Sequence, residues 1–228
     1  MKQRINKYLA EAGYCSRRRA DELIKAGQVF INGVKAELGS RVEENDEVGV
    51  KGQKIKKIKD QKIYLAYHKP VGVICTADQS KKDNIIDEIN LKERIFPVGR
   101  LDVLSSGLIF LTNDGEFANR VSHPRYGHQK EYEVEAAKAI TDSQISKLKQ
   151  GIRLREGLAK ADKIDRQSSQ VIRLTIHQGL NRQIRRMGEA VGLEVKRLKR
   201  VGIGKIGLGS LAVGKWRKLT EQEIKSFK

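Results

Sequence analysis

The chain has 228 residues, 39% of them apolar, and its 46 Lys+Arg against 28 Asp+Glu give a formal net charge of +18. That length suits one fair-sized core, or a medium domain with a small companion. No apolar run approaches the roughly 20 residues that span a bilayer, and the start, Met1-Lys2-Gln3-Arg4, lacks the continuous apolar stretch of a secretion signal. A cytoplasmic protein without a membrane partner is the expectation. Cys15 and Cys75 lie far apart, and His68, His123, His128 and His177 have no metal-ligand spacing, so neither a disulfide nor a metal site is expected. A positive excess of this size repels itself unless something acidic is bound. Nucleic acid, held through phosphate contacts and counterion release, is the first candidate partner.

In chain order, Ile5, Tyr8, Leu9 and Ala12 recur at helical spacing, and Gly13 stops that helix. Ser16 caps a second helix with Ala20, Leu23 and Ile24 on its apolar side and Gly27 at its end. Val29-Phe30-Ile31 reads as a strand, Asn32-Gly33 as a tight hairpin, and a second hairpin-like stretch ends at Asp46-Glu47-Val48-Gly49-Val50. The basic, thinly apolar run from Lys51 to Lys59 reads as a linker, which divides the chain into a small domain at 1–60 and a larger one at 61–228.

A strand begins at Ile63-Tyr64-Leu65-Ala66-Tyr67, and Leu108-Ile109-Phe110-Leu111-Thr112 reads as a buried strand. Asn113-Asp114 caps a helix through Phe117, Ala118 and Val121. Tyr132 and Val134 alternate with charge, as do Ile172, Leu174 and Ile176 with Arg173 and Thr175, so both stretches read as half-buried strands. Thr141 with Gln144, and Thr220 with Glu223, are capping boxes, and a basic helix is expected from about Asn181 to Val191. Extended segments follow one another without regular helices between them. The fold class is therefore α+β, with a mixed or antiparallel sheet rather than βαβ repeats.

Three arginines open the second helix, Ser16-Arg17-Arg18-Arg19-Ala20, where forked guanidinium groups and free backbone N–H groups both suit phosphate; a solvated charge run is the alternative. Together with Ile5-Asn6-Lys7-Tyr8-Leu9 and Gln28-Val29-Phe30-Ile31-Asn32-Gly33, this segment resembles the small RNA-binding domain first named for ribosomal small-subunit protein four. The resemblance implies a basic α/β domain on structured RNA, with Arg17, Arg18 and Lys25 as first contacts and Arg4 and Lys7 next.

The segment Phe96-Pro97-Val98-Gly99-Arg100-Leu101-Asp102-Val103-Leu104-Ser105-Ser106-Gly107 sets Asp102 in a polar loop before the apolar strand. Taken alone it reads equally as a structural Arg/Asp pair, with the Ser105 hydroxyl available to hold the turn. The whole pattern resembles the signature loop of the pseudouridine synthases that modify ribosomal RNA without a guide RNA. Gln129-Lys130-Glu131-Tyr132 and Gly179-Leu180-Asn181-Arg182-Gln183-Ile184-Arg185-Arg186-Met187 match two further motifs of that family, and the match runs from about residue 3 to 224. By resemblance Asp102 is the nucleophile, Tyr132 packs on the target base, and Arg185 pairs with the aspartate. Arg100 and Lys130 are expected to contact RNA near the flipped base, and Arg182 and Arg186 its backbone. Leu104 stands where a polar residue is commoner, and Gly188 where a larger one is, which implies a looser helix there.

The resemblance implies isomerisation of a uridine in ribosomal RNA or a precursor subunit, with large-subunit RNA favoured, by a monomer that needs no cofactor and no metal. The alternatives are a non-enzymatic RNA-binding protein and an RNA methyltransferase. The chain shows no glycine-rich loop after a strand for the latter. Convergence of Asp102, Tyr132 and Arg185 is the feature that would separate an enzyme from a binder.

Overall fold

The computed structural model describes residues 2–55, 62–78 and 80–227. The chain separates into two compact units, 1–62 and 63–228. In the first, the Ile5–Glu11 and Arg17–Lys25 helices lie over a four-stranded sheet in which Val29–Ile31 pairs with Val34–Lys35 and Val48–Val50. The helices bury Ile5, Leu9, Ala20, Leu23 and Ile24 against Val29, Val48 and Val50, which are the apolar positions of the sequence pattern. Ser16 caps the second helix by accepting from the Arg19 N–H at 3.1 Å. Asn32 and Gly33 both take positive φ, 50° and 79°, as a two-residue turn matched to strand twist requires.

The first half of the run read as a linker, Lys51 to Ile55, is part of the small unit's sheet. Gln53–Ile55 is a strand paired with Val48–Val50, and Lys51-Gly52 is its hairpin turn, with both residues at positive φ. The sparse apolar content that suggests a linker is that of an edge strand with one half-buried residue, Ile55. The remainder of that run, Lys56 to Lys59, lies outside the described residues.

The second unit is built on a mixed sheet. Its main path runs Lys163–Arg166, Val171–Ile176, Lys130–Ala136, Val195–Ile203, Ser106–Thr112, Tyr64–Lys69, Trp216–Lys218. Every pairing on that path is antiparallel except the central one, where Val195–Ile203 meets Ser106–Thr112 in parallel through Lys199↔Ser106 and Arg200↔Gly107. The Ser106–Thr112 strand is buried on both faces, which is why it reads as an unbroken apolar run. Leu108 and Phe110 face the Phe117, Val121 and Phe227 cluster, while Ile109 and Leu111 face Tyr67, Ile85, Tyr132 and Ile184. The Asp114 side chain caps the Gly115–Ser122 helix, and both expected capping boxes form. Among the described residues no helix is long and apolar enough to cross a membrane.

The parallel step is possible because residue 107 has no side chain. A Cβ there would stand 2.2 Å from the Arg200 carbonyl oxygen and 2.5 Å from its nitrogen, and the backbone φ is 111°. Gly188 serves the same end. A Cβ would lie 2.7 Å from the Leu193 oxygen and 3.1 Å from Val195, so this glycine lets the helix seat against the following turn instead of loosening it.

We expect Gly107→Ala to lower the unfolding free energy by about 3 kcal/mol, since it adds a backbone overlap to a strained φ. Urea denaturation of the two proteins measures this. A variant as stable as the parent would mean that the two strands can separate without cost.

Candidate active site

Residues 99–105 leave the sheet between two paired strands, with Val98 opposite Phe110, and Asp102 sits on this excursion, partly exposed. Its backbone is fixed at almost every step. Arg200, 4% exposed, donates from Nε to the Leu108 oxygen at 2.6 Å and from Nη1 to the Arg100 oxygen at 3.4 Å, and so bridges the outgoing and returning legs. The Leu101 N–H donates to Cys75 Sγ at 3.3 Å. Asp102 O accepts from the Ser105 N–H at 3.0 Å, closing a turn, and Val103 O accepts from the Gly72 N–H at 2.9 Å. Arg185 Nη2 donates to Leu104 O at 2.9 Å. The Ser105 hydroxyl, expected to hold the turn, is buried without a partner among the described residues; its backbone N–H closes the turn instead.

Asp102 borders a cavity of about 320 Å³ shared with Arg100, Ser105, Lys130, Tyr132, Arg182 and Arg200, with Gln178 to Ile184 forming the opposite wall. Tyr132 is brought there by register: it lies in Lys130–Ala136 opposite Arg200 on one side and Leu174 on the other. Lys130 is half-buried, and its Nζ reaches the His177 oxygen at 3.4 Å. Burial, and then the Arg200 charge, push the Lys130 pKa down. This lowers the cost of losing a proton but leaves a strong donor aimed along the cavity.

The structure thus brings Asp102, Tyr132, Arg100, Lys130 and Arg182 together, and holds two of the expected arginines differently. Arg185 forms no ion pair with Asp102 among the described residues. It is buried and spans the carbonyls of Leu104 and Val195, at 2.9 Å each. Burial, together with the neighbouring Arg182, lowers its pKa, and the field of Asp102 opposes that shift. Its effect on the aspartate therefore runs through the loop backbone and through space. Arg186 is engaged by Glu156 in a two-pronged pair at 2.9 and 2.7 Å, and does not border the cavity. The expected helix also starts later, at Gln183. Arg182 is its cap, in left-handed conformation at φ 46°, so it is not stacked on Arg185 and Arg186 but turned to the cavity rim.

In the first unit, Arg4, Arg17, Arg18 and Lys25 are exposed, and Lys7 is tied to Glu11 at 3.5 Å. Arg19, the third arginine of the run, is held by Glu22 at 2.7 Å.

Sequence reasoning assigns no role to two buried cations. Arg200 sits on the central strand two residues after Leu198 and so on the same buried face, where its charge argues locally for a surface position. Lys69 is fully buried at the end of Tyr64–Lys69 and donates to Pro70 O at 2.7 Å and Val73 O at 2.8 Å, folding the turn that carries Gly72. Burial lowers its pKa, opposed by Cys75 and Asp102.

Residues 63–190 match the family model described as RNA pseudouridylate synthase, over more than half of the chain, and residues 3–48 match the S4 domain. The chain belongs to the RNA pseudouridylate synthase family. It is 43% identical to the dual-specificity RNA pseudouridine synthase RluF of Escherichia coli strain K12, over 97% of this chain and 77% of that protein. It is also 43% identical to ribosomal large subunit pseudouridine synthase B of Bacillus subtilis, over 99% of this chain and 96% of that protein. A crystal structure of a pseudouridylate synthase superposes with a TM-score of 0.74 at 29% identity, covering 99% of both chains. The α+β class and the expected family are both met, and the activity of the family is the isomerisation of uridine in RNA to pseudouridine.

For a pseudouridylate synthase, a loop held by its carbonyls makes a testable demand on Arg200. Arg200→Lys keeps the charge, but one ammonium on a flexible stem cannot bridge Leu108 and Arg100 as the planar fork does. Losing one charge-assisted hydrogen bond is worth about 1.5–3 kcal/mol. If half of that reaches the transition state, single-turnover pseudouridine formation falls about three- to tenfold, while RNA affinity holds. Undiminished turnover would mean that Asp102 is placed without this clamp.

Proposed function

We propose that this chain is a monomeric, cytoplasmic enzyme that converts a uridine of ribosomal RNA to pseudouridine, most naturally in the large subunit or its precursor, with Asp102 as the reacting carboxylate. The observation that carries this reading is the cavity in which Asp102 and Tyr132 meet four cationic side chains. Its volume of about 320 Å³ is at the small end of ligand pockets, roughly 300–1,000 Å³, a size suited to one extruded nucleoside and not to a folded strand. The name of the Bacillus subtilis relative, a ribosomal large subunit pseudouridine synthase matched over 96% of its length, supports ribosomal RNA as the substrate.

The chemistry follows from the substrate. The uridine leaves its stack at a cost of a few kcal/mol. Its uracil lies against the Tyr132 ring, which offers an apolar face and a polar edge. Asp102 promotes cleavage of the C1′–N1 bond, by attack on the sugar or by elimination to a glycal. The detached uracil turns, C5 bonds to C1′, and the C5 proton is lost while N1 gains one. Atoms and electrons balance within the nucleoside, so no redox partner or group donor enters. Arg100, Arg182 and Lys130 border the cavity and are read as the contacts to phosphates or base edges around the extruded nucleotide.

The small unit is read as the anchor, with 1–60 and 61–228 as separate domains. Replacing Arg17, Arg18 and Lys25 together by Ala is expected to weaken RNA binding and to flatten its logarithmic salt dependence by about 2–3 units, since each phosphate neutralised adds roughly 0.7–0.9 to that slope. An unchanged slope would remove these three residues from the interface.

Asp102→Asn is expected to abolish pseudouridine formation while RNA binding persists, because an amide of the same volume is neither a nucleophile nor a base. Arg185→Ala is expected to damage the same step by freeing Leu104 and Val195. Tyr132→Phe separates the ring from its hydroxyl: retained turnover assigns packing, a large loss assigns proton transfer. Base-specific chemical mapping of pseudouridine in ribosomal RNA treated with each purified protein is the measurement. Full conversion by the Asp102→Asn protein would rule out the nucleophile. Tight binding by the parent without modification of free RNA or subunit precursors would favour an RNA-binding role alone.

A further inference from the structure

The turn that carries Asp102 has an unusual tip. Ser105 N–H closes it onto Asp102 O at 3.0 Å, which makes Val103 and Leu104 its two central residues. Tips of such turns favour Gly, Pro, Asn, Asp and Ser, whose side chains suit water and tight backbone angles. Here both are aliphatic, 41% and 59% exposed, and neither borders the cavity that begins at their neighbours Asp102 and Ser105. Val71, 58% exposed, joins them from the adjacent turn, whose Gly72 N–H donates to Val103 O at 2.9 Å. A small apolar knob therefore projects from the rim of the cavity, on a protein of net charge +18. Exposed Arg100 and Arg182 stand on the same rim.

The knob is also rigid where its composition is least expected. Val103 O is held by Gly72, Leu104 O by Arg185, and the turn behind Gly72 by the buried Lys69 ammonium. Apolar side chains left in water on a fixed backbone mark a contact surface. The rim cations select for a polyanion, and the continuity with the Asp102 cavity restricts the occupant to what lies beside the reacting nucleotide. When a base is drawn from a stack, the faces of its two neighbours are exposed, and proteins that open such gaps commonly fill them with aliphatic side chains.

We propose that Val103 and Leu104, supported by Val71, form an apolar wedge that enters the RNA stack as the uridine leaves it and covers the faces of the flanking bases. The wedge rests on the uridine-isomerising function proposed for the Asp102 cavity. It makes Leu104 a determinant of which uridines the enzyme can extrude. A wedge lowers the cost of extrusion from a stacked site, and offers nothing where the uridine is already unstacked.

The test uses the full chain and two synthetic stem-loops that carry the uridine modified by the parent protein in ribosomal RNA. In one the uridine lies between its natural neighbours. In the other both neighbours are abasic spacers. Val103→Asn with Leu104→Asn keeps turn-compatible residues and leaves the carbonyls that Gly72 and Arg185 hold. Its kcat/KM is expected to fall about tenfold on the first RNA, equivalent to about 1.4 kcal/mol, and to match the parent on the second. Leu104→Phe, a larger apolar residue, is expected to retain parent activity on the first. Equal losses on both RNAs would overturn the wedge and make the tip a support for Asp102. No loss on either, or a Leu104→Phe protein as poor as the Asn variant, would overturn it as well. Failure of the parent to modify any uridine of ribosomal RNA would instead remove the uridine-isomerising function, and the wedge with it.

Discussion

The second unit is organised around one close approach: the backbones of Gly107 and Arg200 lie so near that no Cβ fits between them. That approach is the parallel step in an otherwise antiparallel path, and it has a chemical product. It delivers the Arg200 guanidinium across the base of the 99–105 loop, where it meets the carbonyls of Arg100 and Leu108. A loop of this length, left to itself, would sample many conformations, each residue contributing about 1–2 kcal/mol of backbone entropy to be overcome. Tying it at both ends and at three points between turns a flexible connection into a platform for a single carboxylate.

The cations around Asp102 are used in two different ways. Arg200, Arg185 and Lys69 are buried and donate to backbone carbonyls. Arg100 and Arg182 are exposed, and Lys130 half-buried, along the cavity. The first group keeps the backbone in place while adding positive potential behind the carboxylate. Donating to carbonyls in this way avoids a direct pairing that would compete with substrate for the Asp102 oxygens. The second group remains available to phosphates. Burying a charge is costly unless its hydrogen bonds are made, and each of the buried three makes two to carbonyl oxygens.

Much of this is legible in the order of residues, and the reasons for the rest are physical. Periodicity and caps reveal the helices after Ser16 and Asp114, the buried strand through Phe110, and the Asn32-Gly33 hairpin, because each depends on contacts within a few residues. Motif spacing puts Asp102 and Tyr132 forward together, and they share one cavity. Arg182 is misread as part of a helical face because a basic run beside Ile184 and Met187 carries no local mark of a left-handed cap. The partner of Arg185 is likewise hidden: whether a buried arginine finds a carboxylate or a carbonyl is decided by loops about 80 residues away, at Leu104. Arg200 and Lys69 look like ordinary surface cations until the strands that bury them are assembled. Gly188 shows the same limit from the other side, since a glycine that permits close packing and one that permits motion are identical letters.

The small unit completes its pairings between residues 3 and 55. The larger sheet joins Tyr64–Lys69 to Trp216–Lys218, and the cavity takes its walls from segments as distant as Val98 and Ile203. Non-local pairing slows folding, because long loops must close before their contacts reward them. On a ribosome this separates two events in time. The small unit can mature while the cavity around Asp102 does not yet exist, so the two parts of the nascent protein are completed in the order of the chain.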